Sequence, residues 1–140
     1  MADKTLTGGC LCGKVRYEIS GAPGMSAHCH CRDCQRATGT GHLTATMFPK
    51  AAVNVTGEMK GYTSAGDSGQ PVTRFFCPNC GSRLMTELAV MPDVRIVAVG
   101  SLDDPDAIGP VGMALYAKNR NAWDHIDPSV ASFDTMPPRG

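Results

Sequence analysis

Seven cysteines in three short blocks are the residues of this 140-residue chain best suited to chemistry. The first block, GGCLCG at 8–13, and the last block, FCPNCGS at 76–82, carry two cysteines each. The middle block, HCHCRDCQR at 28–36, carries three. Cysteines at such spacings bind zinc as thiolates. Four of them close a tetrahedral structural site, whereas three leave one coordination position for water or a ligand.

Spacing alone leaves the division of these ligands open. A four-plus-three division uses every cysteine. Its closed site takes the first and last blocks (Cys10, Cys12, Cys77 and Cys80), and its open site takes the middle block (Cys29, Cys31 and Cys34). The two C-x-x-C pairs can instead form a closed site of Cys31, Cys34, Cys77 and Cys80. In a third arrangement, His28 or His30 completes the middle site.

Local sequence indicates how each block presents its sulfurs. Pro78 and Gly81 predict a tight turn in the last block, with Gly81 in a left-handed conformation. In the two C-x-C pairs, an extended chain would turn residues i and i+2 to the same side. His30, between Cys29 and Cys31, should then point away from the metal. His30 is a candidate proton relay, against the commoner alternative of a local hydrogen bond.

Composition limits the classes of function. Thirteen basic and thirteen acidic residues give no general attraction to nucleic acid or to an anionic membrane. No segment approaches the roughly 18 apolar residues of a membrane span. The opening stretch MADKTLTGG lacks the apolar segment of a secretory signal, so we expect a cytoplasmic protein. In that reducing compartment, clustered thiols hold metal more often than they form disulfides.

Alternating and β-branched segments predict a mainly β protein that forms a single domain over residues 1–140. Strands are predicted at 14–20, 42–48, 51–57, 59–65, 71–77, 83–89 and 94–100. The sequence predicts one short helix from about Cys31 to Thr38, ended by Gly39. Residues 101–109 read as a loop, and the tail after Tyr116 as irregular. The expected architecture is an antiparallel β domain held together by metal.

The three blocks, in the order GGCLCGKVRY, HCHCRDCQRATG and FFCPNCGSRL, resemble the glutathione-dependent formaldehyde-activating enzyme (GFA) family. The resemblance runs from about Thr7 to the tail. It implies an antiparallel β-tent fold and two zinc ions per chain. It further implies a structural zinc at the first and last blocks and a catalytic zinc at Cys29, Cys31 and Cys34. Trp123 corresponds loosely to a tryptophan that is usual in the family's tail.

The resemblance implies carbon–sulfur lyase chemistry. A small thiol such as glutathione would bind at the open zinc and form or cleave an S-hydroxymethyl adduct with formaldehyde or another aldehyde. Three thiolates quench the Lewis acidity of zinc and make the ion thiophilic, which suits this chemistry. One alternative is a non-catalytic zinc-stabilised module that binds a protein or nucleic-acid partner. Another is a metal-free redox relay of the middle cysteines.

Overall fold

The computed structural model describes residues 5–137. Within that range the chain forms eleven strands, one α-helix and four short 3₁₀ turns. The strands are β1 (Thr5–Gly9), β2 (Arg16–Ser20), β3 (Ser26–Cys29), β4 (Leu43–Pro49), β5 (Val53–Thr56), β6 (Lys60–Ala65), β7 (Pro71–Phe76), β8 (Arg83–Leu88), β9 (Met91–Ala98), β10 (Met113–Leu115) and β11 (Ala131–Ser132). The helix is α1 (Arg32–Thr38), and the 3₁₀ turns are Lys50–Ala52, Val99–Ser101, Pro105–Ile108 and Ala117–Asn119.

The strands form two sheets, and most neighbours pair antiparallel. The smaller sheet has the order β1-β2-β5, and the larger has the order β11-β10-β3-β4-β9-β8-β7-β6. Only β10 breaks the antiparallel pattern in the described residues, because it pairs parallel with both β3 and β11. The mainly β prediction is therefore confirmed.

One core joins the two sheets. The alternation in β2 buries Tyr17 and Ile19 and exposes Arg16, Glu18 and Ser20. These two side chains pack with buried residues of the larger sheet, notably Phe48, Leu84 and Val97. Burial of this apolar surface is what drives the sheets together. Cys10 and Cys77 belong to the same core cluster, so the first and last cysteine blocks meet at its edge.

The predicted strands coincide with β2 and β4 to β9, with shifts at their ends. The largest shift is in β9, which begins at Met91 rather than at Val94. Sequence patterns missed β1, β3, β10 and β11. The helix prediction is correct: Gly39 has φ 71° and ψ 21°, and its N–H donates to the Gln35 carbonyl. In residues 5–137, no helix has the length and apolarity needed to cross a membrane.

Candidate metal centres

The first and last cysteine blocks converge into one four-thiol cluster. The ligand atoms of Cys10, Cys12, Cys77 and Cys80 all lie within 4.8 Å of one another. The Sγ–Sγ distance is 3.6 Å from Cys10 to Cys12 and 3.8 Å from Cys12 to Cys77. Zinc with bonds near 2.3 Å would place sulfurs about 3.8 Å apart in a tetrahedron. The donor set and its spacing therefore fit a closed zinc site.

The last block forms the turn that its sequence predicts. Gly81 has φ 79°, and its N–H donates to the Cys77 carbonyl at 2.8 Å. The turn aims the N–H groups of Asn79 and Cys80 at Cys77 Sγ, at 3.4 and 3.5 Å. The Ser82 hydroxyl lies 3.2 Å from Cys80 Sγ and is the first cause that lowers the pKa of Cys80 to about 5. Such donors stabilise thiolates, the form that binds metal.

The first block corrects one expectation. Cys10 and Cys12 do not lie in an extended chain, because Gly13 N–H donates to the Cys10 carbonyl and closes a tight turn. Gly13 has φ 81°, a conformation open to glycine. The Val15 N–H donates to Cys10 Sγ at 3.2 Å. Both thiols therefore face one centre because the backbone turns, not because it is extended.

The middle block forms a separate cluster of three thiols at the junction of β3 and α1. The ligand atoms of Cys29, Cys31 and Cys34 lie within 4.8 Å of one another, and no other Cys, His, Asp or Glu atom between residues 5 and 137 joins the group. Cys29 ends β3 and Cys31 caps α1, with its sulfur accepting from the Cys34 N–H at 3.2 Å. Cys34 lies one helical turn later. This arrangement fits three of the four positions of a tetrahedral metal centre.

The ionisation of each of the three thiols depends on that of its neighbours. Hydrogen bonds from Cys29 and then Cys34 lower the pKa of Cys31 to about 2. Hydrogen bonds with Cys29 and then Cys31 raise the pKa of Cys34. Three sulfurs this close can release all their protons only if a cation compensates the charge. The cluster therefore has the chemistry of a metal-binding site.

Two arginines of the larger sheet, Arg74 in β7 and Arg83 in β8, lie within electrostatic range of these thiols. Arg83 interacts electrostatically with Cys34 and Cys31, and Arg74 with Cys31. Arg74 donates through Nη1 to Ser64, but its Nε has no partner, and Arg83 leaves Nε and Nη1 buried without one. Neither arginine forms an ion pair with a carboxylate in the part of the chain described. Two guanidinium groups without carboxylate partners thus place positive charge near the thiols.

Tyr116 borders the same cluster in a strained backbone conformation. It follows Leu115, which pairs with Cys29, and has φ 53° and ψ 40°. A left-handed conformation costs a non-glycine residue about 1–2 kcal/mol. The Tyr116 hydroxyl donates to Asp67 Oδ2 at 3.0 Å, and burial followed by Asp67 raises its pKa to about 12. The phenol therefore stays protonated near the thiols at neutral pH.

His30 points away from the thiols, into a cluster of polar side chains on the other side of the strand end. Its ring is 1% exposed and lies 3.3 Å from the Leu115 carbonyl through Nδ1 and 3.5 Å from Asp124 Oδ2 through Nε2. His42 Nδ1 lies 2.8 Å from the same carboxylate oxygen. The ring of His28 packs edge-on against His42. Burial is the first cause that lowers the pKa values of His28 and His30.

Sequence patterns did not predict that His42 and Asp124 would join His30, because they lie 12 and 94 positions after it, with no shared motif. They also missed Gln35, a buried residue of α1 whose side chain donates to the His30 carbonyl at 2.7 Å and to the Asn119 carbonyl at 3.0 Å. Gln35 thereby ties the tail to the middle block. Trp123 is 68% exposed, beside Gly41.

Comparison with known proteins agrees with this architecture. The profile of the family described as "Glutathione-dependent formaldehyde-activating enzyme" matches residues 5–119. No curated protein matches the chain. A structural-genomics crystal structure of a Rhodobacter sphaeroides protein superposes with a TM-score of 0.59 and 23% sequence identity. The match covers 75% of this chain and 96% of that one, and it shows a similar fold.

Proposed function

Because this chain belongs to the glutathione-dependent formaldehyde-activating enzyme family, we propose that it is a zinc-dependent carbon–sulfur lyase. Its substrates are a small thiol such as glutathione and an aldehyde such as formaldehyde. In the forward direction, a bond forms between the thiol sulfur and the carbonyl carbon, and the thiol proton ends on the carbonyl oxygen. The reverse reaction breaks that bond. No electrons are gained or lost, so no redox cofactor is needed.

The observation that carries this proposal is the three-thiol cluster with no fourth ligand among the described residues. We assign a structural zinc to Cys10, Cys12, Cys77 and Cys80, and a catalytic zinc to Cys29, Cys31 and Cys34, which gives two per chain. Zinc held by these three cysteines would supply a thiophilic centre with a coordination position for the substrate thiol, in its thiolate form, at neutral pH. The turn at the start of α1 holds the protein sulfurs in place for this role.

Arg74 and Arg83 recognise the charge of the thiol substrate in this proposal. Arg74 Nε and Arg83 Nε and Nη1 are buried donors without a protein acceptor, and an unpaired buried donor is costly unless a ligand satisfies it. A carboxylate on the substrate would accept charge-assisted hydrogen bonds from these donors. The substrate class is therefore an anionic thiol rather than a neutral one.

His30 supports the site by holding the backbone in this proposal. Its contacts with Leu115 and Asp124 fix the residue between two of the ligands, so that Cys29 and Cys31 face the opposite side. The proton relay predicted for His30 requires its ring to reach the substrate. The observed ring contacts favour a positioning role, and the relay stays a prediction.

The direct test measures exchange between ¹³C-formaldehyde and its glutathione adduct by NMR, with zinc-loaded protein and without protein. We expect faster exchange with the wild-type protein and background exchange with Cys34→Ser. Asp33→Asn is the matched control, because Asp33 is the exposed neighbour of Cys34 on the same helix. The control should retain wild-type exchange.

Cobalt substitution at the middle cysteines gives a second readout. Added glutathione should change the sulfur-to-cobalt absorption of the wild-type protein, because a fourth sulfur joins the three from the chain. No spectral change, together with background exchange for every aldehyde tested, would contradict the enzyme assignment. Two tightly held zinc ions in such an inactive protein would then favour the alternative of a binding module, and one zinc would favour the redox relay.

A further inference from the structure

We propose that His30, His42 and Asp124 form a third metal site, which takes a divalent first-row transition cation through two imidazole nitrogens and one carboxylate oxygen. Their ligand atoms lie within 4.8 Å of one another. Two histidines and a carboxylate are a donor set used for zinc and for non-haem iron. None of the three residues belongs to either cysteine cluster, so this site goes beyond the proposed lyase function.

The hydrogen-bond count at His30 calls for a cation. Nδ1 of this ring faces the Leu115 carbonyl at 3.3 Å, and Nε2 faces Asp124 Oδ2 at 3.5 Å. Both partners are acceptors, whereas a neutral imidazole carries only one N–H. A neutral ring therefore leaves one ring nitrogen close to an oxygen acceptor with no N–H between them. A divalent cation between Nε2 and Oδ2 removes that repulsion without charging a ring that is 1% exposed.

The distances suit shared coordination. Two ligands that each lie about 2.1 Å from one cation are roughly 3.0–3.4 Å apart in octahedral or tetrahedral geometry. Asp124 Oδ2 lies 2.8 Å from His42 Nδ1 and 3.5 Å from His30 Nε2, on either side of that range. Small side-chain adjustments bring both pairs into it.

Groups around His30, His42 and Asp124 orient the ligands and leave a path for a cation. The Leu115 carbonyl orients the His30 ring through Nδ1 and leaves Nε2 for the metal, a usual arrangement for metal-binding histidines. Asp124 is 11% exposed and His42 is 29% exposed, so a cation can enter from the His42 side. Gly41 allows the approach, because a Cβ at this position would lie 2.5 Å from Asp124 Oδ2.

The site would connect three separate parts of the chain. His30 follows β3, His42 precedes β4, and Asp124 lies in the tail. A cation held by all three fastens the tail against the segment that carries Cys29 and Cys31. The third metal thus holds the C-terminal tail beside the middle cysteine cluster.

Cobalt titration of zinc-loaded protein tests this site. Protein is first loaded with two equivalents of zinc per chain, which the thiolate clusters bind ahead of a site of two imidazoles and a carboxylate, and Co²⁺ binding is then followed by calorimetry and visible absorption. Zinc stands above cobalt in the affinity order, so cobalt leaves the thiolate sites filled. We expect one further equivalent of cobalt, with weak visible bands and no sulfur-to-cobalt charge transfer.

Two variants remove ligands, and one serves as the matched control. Asp124→Asn and His42→Gln should each lower the affinity for this equivalent by about tenfold or more. His125→Gln, which changes the exposed neighbour of Asp124, should leave it unchanged. The proposal is overturned if wild-type protein binds no additional cobalt, if the bound cobalt shows sulfur charge transfer, or if His125→Gln weakens binding as much as the ligand variants do.

Discussion

The Sγ atoms of Cys12 and Cys77 lie 3.8 Å apart, although 65 positions separate the two residues in the sequence. The two turns that carry them face each other across the edge of the core. A metal ion bound at this point would close a long loop between the smaller sheet and the β7–β8 hairpin. The affinity of a closed zinc site contributes directly to folding, because the unfolded chain does not hold the site together. The middle cysteines, by contrast, lie within six positions at the end of one strand.

This difference predicts opposite outcomes for two serine variants. Cys80→Ser removes a ligand that links distant segments and a thiol whose pKa is already lowered by Ser82. We expect loss of one zinc equivalent, a fall in Tm and loss of cooperative unfolding. Cys34→Ser should lose the other equivalent while the protein still unfolds cooperatively. Zinc analysis and circular dichroism melts measure both effects, and equal unfolding of the two variants would contradict the division into structural and catalytic sites.

Two donors of the Arg83 guanidinium, Nε and Nη1, have no partner among the described residues, while Nη2 donates to Thr86; the free donors predict selectivity for charged thiols. Arg83→Met removes the buried donors while keeping the apolar stem. Hydrogen bonds to charged groups contribute about 1.5–3 kcal/mol, so the KM for glutathione should rise about tenfold or more. The KM for neutral 2-mercaptoethanol should change little. Steady-state kinetics with both thiols measure this selectivity.

Arg36→Met provides the comparison for that experiment, because Arg36 is exposed on α1 and has no ion pair within residues 5–137. It should keep the wild-type KM for both thiols. Equal loss of affinity for glutathione and for 2-mercaptoethanol in Arg83→Met would show that Arg83 supports the fold rather than reading a carboxylate.

Sequence patterns predict the parts of this molecule that depend on local chemistry. Cysteine spacing identifies the blocks that come together, and Gly39 and Gly81 adopt the left-handed conformations expected of them. Alternating residues reveal β2 and most strands of the larger sheet, because one face of each is buried. These features are determined by residues close to one another in the sequence, so local sequence patterns are enough to predict them.

The remaining features depend on contacts between distant segments. Strand β10 is three residues long, too short to show an alternating pattern. It is a strand because its backbone pairs with β3. The cysteines of the first block lie on a turn because Gly13 bonds back to Cys10, which spacing could not distinguish from an extended pair. Asp124 reaches His42 across 82 positions, so only the fold brings them together.

Tyr17 makes the stability of the folded protein depend on pH in the alkaline range. Its hydroxyl lies 2.6 Å from Ser101 Oγ, and burial is the main cause that raises its pKa to about 12. An unfolded tyrosine ionises near pH 10. The contribution of the Tyr17 phenol to the free energy of unfolding is therefore complete below about pH 10. It is lost as the pH rises towards about 12, because the unfolded state ionises first. Tyr17→Phe lacks this ionisation.

At neutral pH, Tyr17→Phe should be less stable by about 1 kcal/mol, because it loses one hydrogen bond. Between about pH 10 and about pH 12, wild-type protein should lose more stability than the variant, and the difference should narrow. Chemical denaturation across this range measures the gap. A constant difference at all pH values would show that the Tyr17 phenol does not titrate differently in the folded and unfolded states.

Gln35 connects the helix of the middle block to the tail. It is 5% exposed, and its amide donates to the His30 and Asn119 carbonyls. Its Oε1 accepts from Asn121 Nδ2 at 3.1 Å. One buried side chain thus satisfies groups on both sides of the junction, so its loss should loosen the tail before it unfolds the sheets.

Gln35→Leu keeps the approximate size of the side chain but leaves these partners without hydrogen bonds. Buried groups without partners cost about 1–3 kcal/mol each, so we expect the free energy of unfolding to fall by about 2 kcal/mol or more. Amide exchange in residues 117–124 should become faster, while exchange in β8 and β9 rises only by the global loss of stability. Ala37→Leu places the same new side chain on an exposed position of α1 and should leave tail exchange unchanged. If Gln35→Leu exchanges no faster than Ala37→Leu in the tail, the amide does not hold that segment, and other contacts such as the Tyr116–Asp67 hydrogen bond must fasten it.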